Sequence, residues 1–361
     1  MLHAEDLHAS TCRNPTVSGA RGQWMRRTGY TRASTLGPIA DVVTANGGSI
    51  ERVFRRAELP IRLLDSPDTL LPLRDHFRLL AIASRELRDE AFAARLGRQT
   101  SIAGLGVYGK WVIQAPTLLD AIHRAGTSLP HMMQSATRLT VRRDGDEVRW
   151  SYELADPATD GRPQNEILAL WYMIVMIRHF VGADWLPNRI MVGGLPASAR
   201  RRIDEQMGVD TAICDTPGAI VFDQRLLMAV NPHLHANRGL SADELDRIFD
   251  IPDPDDVPGN VGALIDLELL DGRPDLSRIV RRAGLSQRTL QRRLAEYGLS
   301  FSDLLKNKLQ RRAVSLLCQS WSITEIAMML GYRDPAHFSR AFERWSGVAP
   351  SRWRDLAKPG G

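Results

Sequence analysis

The chain has 361 residues, of which 43% are hydrophobic and 25% charged; it is too long for one ordinary core and globular in composition, so two domains are expected. Its longest apolar run, 167–177, stops at Arg178 and falls short of the roughly 20 residues of a membrane-spanning helix, and its N-terminus lacks the basic start and apolar stretch of a secretory signal. The formal net charge of +5 is segregated: residues 258–361 hold 17 Lys and Arg against 10 Asp and Glu, the remainder 30 against 32, so the positive excess lies wholly at the C-terminal end, the footprint of a polyanion binder.

In chain order, residues 1–35 are polar and aperiodic and read as a disordered tail. A mixed α+β domain comes next over 36–251, with helices expected at 39–56, 73–88, 91–98 and 118–134. Segments 139–143 and 147–154 alternate apolar and polar residues around Asp144-Gly145, a pair favoured in two-residue hairpins. A buried helix at 165–181, a strand at 189–192, a polar helix at 197–207 and a strand at 219–222 complete the domain. Pro252, Pro254, Pro258 and Gly259, among several aspartates, mark 252–260 as a linker. Residues 261–356 read as all-helical, and 357–361 as a short tail. Cys12, Cys214 and Cys318 are isolated, which suits a reducing cytoplasm rather than a disulfide framework.

The helical domain contains a repeat. Leu276, Ile279, Val280 and Ala283 form one apolar stripe, followed by Gly284 and a second helix with Leu290, Leu294 and Tyr297. About 47 residues later, Ile323, Ile326, Ala327 and Leu330 repeat the stripe, followed by Gly331 and then Phe338, Phe342 and Trp345. Gly284 and Gly331 stand where a left-handed helix end costs glycine little. Ser286 and Asp334-Pro335 supply N-caps for the second helices, and Ser322 with Glu325 forms a capping box. Between the copies, Phe301, Leu304, Leu305, Leu309, Ala313, Leu316 and Leu317 predict a connecting helix over 301–319, about 28 Å long. That length suits two reading helices placed in successive major grooves, roughly 34 Å apart.

The segments AGLSQRTLQRRL (283–294), KLQRRAVSLL (308–317), ITEIAMMLGY (323–332), FSRAF (338–342) and GVAPSRWR (347–354) resemble the DNA-binding domain of the AraC/XylS family of transcription regulators. Trp353 stands where the family usually has tyrosine. The stretch from Gly104 to Ile122 resembles, more loosely, the effector region of the arabinose-binding-domain branch. The resemblance implies an α+β N-terminal effector and dimerisation domain plus an all-α C-terminal domain with two helix-turn-helix units joined by a linker helix. It also implies promoter DNA and RNA polymerase as partners, a small-molecule effector, a homodimer, transcriptional activation, no cofactor and no membrane.

Leu290 and Leu294 face the core, so a hundred degrees per residue turns Arg288 and Arg292 outward, flanked by Thr289 and Gln291. Arginine can bond guanine and glutamine adenine bidentately, and the resemblance places base contacts at Arg288, Gln291 and Arg292. Ser286 caps the same helix. On the second unit Arg340 faces outward between His337 and Ser339 and is expected mainly to anchor. Tyr108, Trp111 and Trp171 are the candidates for an effector cavity. The GxGxxG pattern at Gly104 to Gly109 lacks a preceding apolar strand, and Pro116 breaks the helix that a nucleotide site would need, so close packing explains its glycines better. His233 and His235 lack further metal ligands, and Cys214 lacks the setting of a nucleophile; His179 reads as a hydrogen-bonded core residue. The rival functions are a non-specific architectural DNA binder and an enzyme domain fused to a DNA-binding module; neither of the enzyme fusions known in the family has its cysteine signature here.

Overall fold

The computed structural model describes residues 29–155, 160–193, 197–213, 217–234, 240, 251–272 and 274–357; the expectations for residues 1–28, Cys214, His235, 241–250 and 358–361 lie outside them. A two-stranded antiparallel ribbon pairs β1 (Tyr30–Arg32) with β2 (Leu70–Pro72). Around it run α1 (Ile39–Ala45), α2 (Ile50–Ala57), α3 (Leu73–Leu87), α4 (Phe92–Gly97), α5 (Gly106–Ile113) and α6 (Leu118–Met132). The hairpin β3 (Thr137–Asp144) and β4 (Glu147–Leu154) precedes α7 (Arg162–Val181), β5 (Arg189–Val192), α8 (Ala197–Met207), β6 (Thr211–Ile213) and β7 (Ala219–Asp223). The sheet order is β3-β4-β7-β5-β6, antiparallel except for β5 and β6. The first domain is therefore α+β.

Helix α7 is apolar around most of its circumference, as a helix covered on several sides must be. Trp171, Ile174 and Ile177 pack with Trp150, Ile220 and Phe222 of the sheet, while Leu168 packs with residues of α1 to α4. Helix α4 approaches so closely that a Cβ on Gly97 would lie 2.2 Å from the Trp171 ring. Likewise a Cβ on Gly109 would lie 1.8 Å from the Ile102 carbonyl oxygen, so this glycine of the GxGxxG pattern permits close helix packing.

Several boundaries differ from expectation. Residues 30–35 are ordered rather than part of a tail: Tyr30, Thr31, Arg32, Ala33 and Thr35 are buried, and Arg32 donates to the carbonyls of Met132 (2.5 Å) and Asp68 (2.9 Å). The helix expected over 39–56 is two. Asn46 bonds back to the Val42 carbonyl, Gly47 adopts φ +80°, and Ser49 accepts from the Arg52 amide to start α2 afresh. In the hairpin Asp144 pairs with Glu147, so the two loop residues are Gly145 and Asp146, with the glycine at φ +58° in the first loop position.

The second domain comprises α9 (Val257–Glu268), α10 (Leu276–Arg282), α11 (Gln287–Ala295), α12 (Phe301–Leu317), α13 (Ile323–Met329), α14 (Pro335–Ser346) and α15 (Pro350–Ala357). Helix α9 begins inside the expected linker 252–260. Asp256 accepts from the Gly259 amide at 2.9 Å, and Pro258 falls in the first turn, where its missing N–H is no loss. Leu264, Ile279, Leu290, Leu294, Leu316, Phe338 and Phe342 build the core, which also takes in Tyr30 and Leu70 from the first domain. Conversely, Leu267 and Leu270 join a core of the first domain, and the Tyr30 hydroxyl donates to the Asn260 carbonyl at 3.2 Å. The domains share a packed boundary rather than a free tether.

Candidate nucleic-acid interface

In the first helix-turn-helix unit α10 ends at Arg282, and Gly284, at φ +65°, turns the chain into α11. Ser286 Oγ accepts from the Thr289 amide at 3.2 Å and lies 2.8 Å from Thr289 Oγ1, so these two hydroxyls are engaged with each other. Leu290 and Leu294 are fully buried, and Arg288, Gln291, Arg292 and Ala295 lie on the opposite, solvent-facing side. Tyr297, expected in the apolar stripe, is 51% exposed. The helix has ended before it, and its hydroxyl donates to the Asp255 carbonyl.

In the second unit Ser322 and Glu325 form the expected capping box, and the two hydrogen bonds to Ser322 hold the Glu325 carboxyl below the usual carboxylate range. Asp334 accepts from the Ala336 amide, and Pro335 opens α14. Phe338, Ala341 and Phe342 are buried, leaving His337, Arg340 and Arg344 outward. Ser339 is turned onto its own helix, donating to the Pro335 carbonyl at 3.0 Å. Arg333, His337, Arg340 and Arg344 line one open concavity with Tyr332 and the carboxylate of Glu343. Sequence reasoning passed over Arg333 and Arg344. Arg344 stands four residues after Arg340 and seven after His337, a helical spacing that could have found it; Arg333 lies in the turn, where periodicity is silent. Trp353 packs edge-on against Phe342, keeping the aromatic role of its position.

The units are joined by α12, which ends at Leu317 rather than 319 and measures about 25 Å. Ser300 and Asp303 form a further capping box at its start. Arg288, Arg292, Arg333, Arg340 and Arg344 have no ion-pair partner among the described residues, whereas Arg278, Arg281, Arg282 and Lys308 are paired. The outward faces of α11 and α14 thus carry an excess of cationic side chains, suited to a polyanion.

The first domain holds a cavity of about 70 Å³. Tyr108 lines it, donating to the Ala125 carbonyl, but Trp111 and Trp171 do not. Trp111 lies under the Arg124 guanidinium at 4.2 Å, and Trp171 between Gly97 and Arg178. The wall instead includes His76, Trp150, Tyr152, Asn165, Met173 and Met176; Asn165, a buried amide near the start of the mostly apolar α7, was the legible sign. Burial lowers the pKa of His76 to about 4 and raises that of Tyr152 to about 12. His179 is half-buried and hydrogen-bonded to the Asn231 side chain, with Nε2 unpartnered, and its ring lies 4.9 Å from that of His233.

Residues 47–230, just over half the chain, match the family model described as the arabinose-binding domain of AraC transcription regulator, N-terminal, and residues 279–355 match a helix-turn-helix domain. The chain is 26% identical to the HTH-type transcriptional regulator VirS of Mycobacterium tuberculosis, over 90% of this chain and 96% of that one. It is 25% identical to the ornithine utilization regulator of Pseudomonas aeruginosa, over 88% and 94%. Among solved structures it is similar to the transcriptional regulator CdpR of Pseudomonas aeruginosa, with a TM-score of 0.37 and 21% identity over 74% of this chain and 87% of that one.

Proposed function

The chain belongs to the AraC family of transcription regulators, and on that premise we propose that α11 and α14 enter successive major grooves of promoter DNA. It is a DNA-binding transcription factor with an N-terminal ligand-binding domain. Arg288, Gln291 and Arg292 read base edges in one groove, where bidentate geometry can tell guanine and adenine from the other bases. In the other groove Arg340 and His337, joined by Arg333 and Arg344, hold phosphates and fix the register. Ser286, Thr289 and Ser339 support the reading helices through their caps and backbone bonds. The observation that carries this reading is the repetition: two capped helix-turn-helix units share one core, each exposing unpaired arginines, with a stiff helix between them.

The protein acts as an activator through RNA polymerase, as a homodimer whose first domain receives a small molecule, and it carries out no catalysis. Footprinting across a promoter library tests the DNA reading. Two protected major-groove segments roughly 10 base pairs apart are expected. Uniform protection without defined sites would refute sequence-specific recognition. Transcription from the footprinted promoter with purified polymerase, with and without the regulator, tests activation; a fall in transcript would make it a repressor.

A further inference from the structure

We propose that the first-domain cavity binds a small uncharged molecule with an apolar body and one hydroxyl or amide head, and that Trp150 and His76 receive that head. This rests on the reading of the first domain as the effector-binding part of a DNA-binding regulator. Among the described residues the wall carries no Asp, Glu, Lys or Arg, so an ionised ligand would bury its charge without a partner. Most of it is aliphatic, aromatic or thioether. Two polar atoms stand out, in residues each 1% exposed: among the described residues Nε1 of Trp150 has no hydrogen-bond partner, and Nδ1 of His76 has none of good geometry, with the Asn165 side chain within reach of its ring. Buried polar groups are normally satisfied, so a ligand atom that meets either is favoured. Other polar side chains on the wall are engaged. Gln134 and Asn165 both donate to the Tyr152 hydroxyl, and Tyr108 donates to a backbone carbonyl.

The neighbour of His76 favours one tautomer of its ring. The Thr35 hydroxyl donates to the Arg32 carbonyl at 2.7 Å, so toward His76 Nε2, 3.5 Å away, it can only accept. In the tautomer that uses this contact Nε2 carries the ring proton, and Nδ1, with the Asn165 side chain nearby, is left as an acceptor. One donor and one acceptor match a hydroxyl or an amide, each of which supplies both. A sugar would bring several hydroxyls to those two atoms and strand most of them. At about 70 Å³ the space is roughly half that of a cavity known to hold benzene. Met133, Met173 and Met176 border it, and such flexible side chains let a pocket widen around its occupant.

The test titrates the full-length protein with isobutyramide and 2-butanol, and with arabinose and butyrate as comparators. Tryptophan fluorescence and thermal shift are recorded, and the same samples are footprinted on DNA. Saturable binding of the neutral amide or alcohol is expected, with none for the comparators. Ala125→Leu, which fills the cavity from α6, should abolish it. Trp150→Phe, which removes the donor, should weaken it roughly tenfold. Equal binding of arabinose or butyrate, or binding unchanged in both variants, overturns the proposal. If no probe binds while the footprint is intact, the ligand class is wrong and the regulator reading stands. An absent footprint would instead remove the reading on which the proposal rests.

Discussion

Arg292 stands on the outward face of α11, one turn beyond Arg288 and beside Gln291, with no ion-pair partner among the described residues. Replacing it removes a base-reading group without disturbing the core. Arg292→Ala is expected to weaken a preferred operator by about 1–3 kcal/mol and to relax preference at one base pair. Titrations against specific and random duplexes check this, and equal losses on both would contradict base reading. Arg333 differs because it lies in the turn before α14 and is assigned to phosphate. Arg333→Ala should weaken all sequences alike and lower the slope of log affinity against log salt by about 1, read from binding at several salt concentrations. In the first domain His76 is buried and held neutral, its pKa lowered from 6.5 to about 4. Protons then bind the unfolded chain more readily between those values, so the stability His76 allows is present above pH 6.5 and lost as pH falls toward 4. Denaturant titrations at pH 7 and pH 5 should differ by about 2 kcal/mol from this group alone, and His76→Gln should remove that increment.

At the scale of elements, α10 shows how tertiary structure reassigns a basic helix. Its Arg281 and Arg282 look, by position, like members of the DNA-facing set. The Arg282 side chain is instead 7% exposed and paired with Asp75 of α3 and Glu268 of α9, with a further bond to the Glu58 carbonyl. Burial pushes the carboxyls of Asp75 and Glu268 up, and the neighbouring arginines oppose that push. Removing the guanidinium leaves both acids buried without this cation. Arg282→Ala is therefore expected to destabilise the protein by about 3–5 kcal/mol, measured by urea denaturation. A loss below about 1 kcal/mol would show that the pair is solvated. The caps of α11, α13 and α14 were legible because a cap involves only a side chain and the next few amides. The partners of Arg282 lie some 14 and 207 residues away, beyond any local pattern.

For the molecule as a whole, the shared boundary predicts joint behaviour. Tyr30 and Leu70 sit in the core of the second domain, and Leu267 and Leu270 in a core of the first. Unfolding either domain exposes apolar surface of the other, so probes placed in each should report one coincident transition in urea. Arg282→Ala should separate them into two; two transitions already present in the unaltered chain would show that the boundary contributes little. The sequence by itself determined the two-domain order, the duplicated helix-turn-helix, its caps and the outward face of α11. Each of these rests on spacings of a few residues or on a repeat, which sterics and helical period impose locally. Only the tertiary structure decided that residues 30–35 belong to the fold, that the expected linker starts a helix, that Arg282 faces inward while Arg333 faces out, and that Trp111 and Trp171 miss the cavity. Those outcomes depend on which distant surfaces meet, and burial is a property of the packed whole rather than of any stretch of chain.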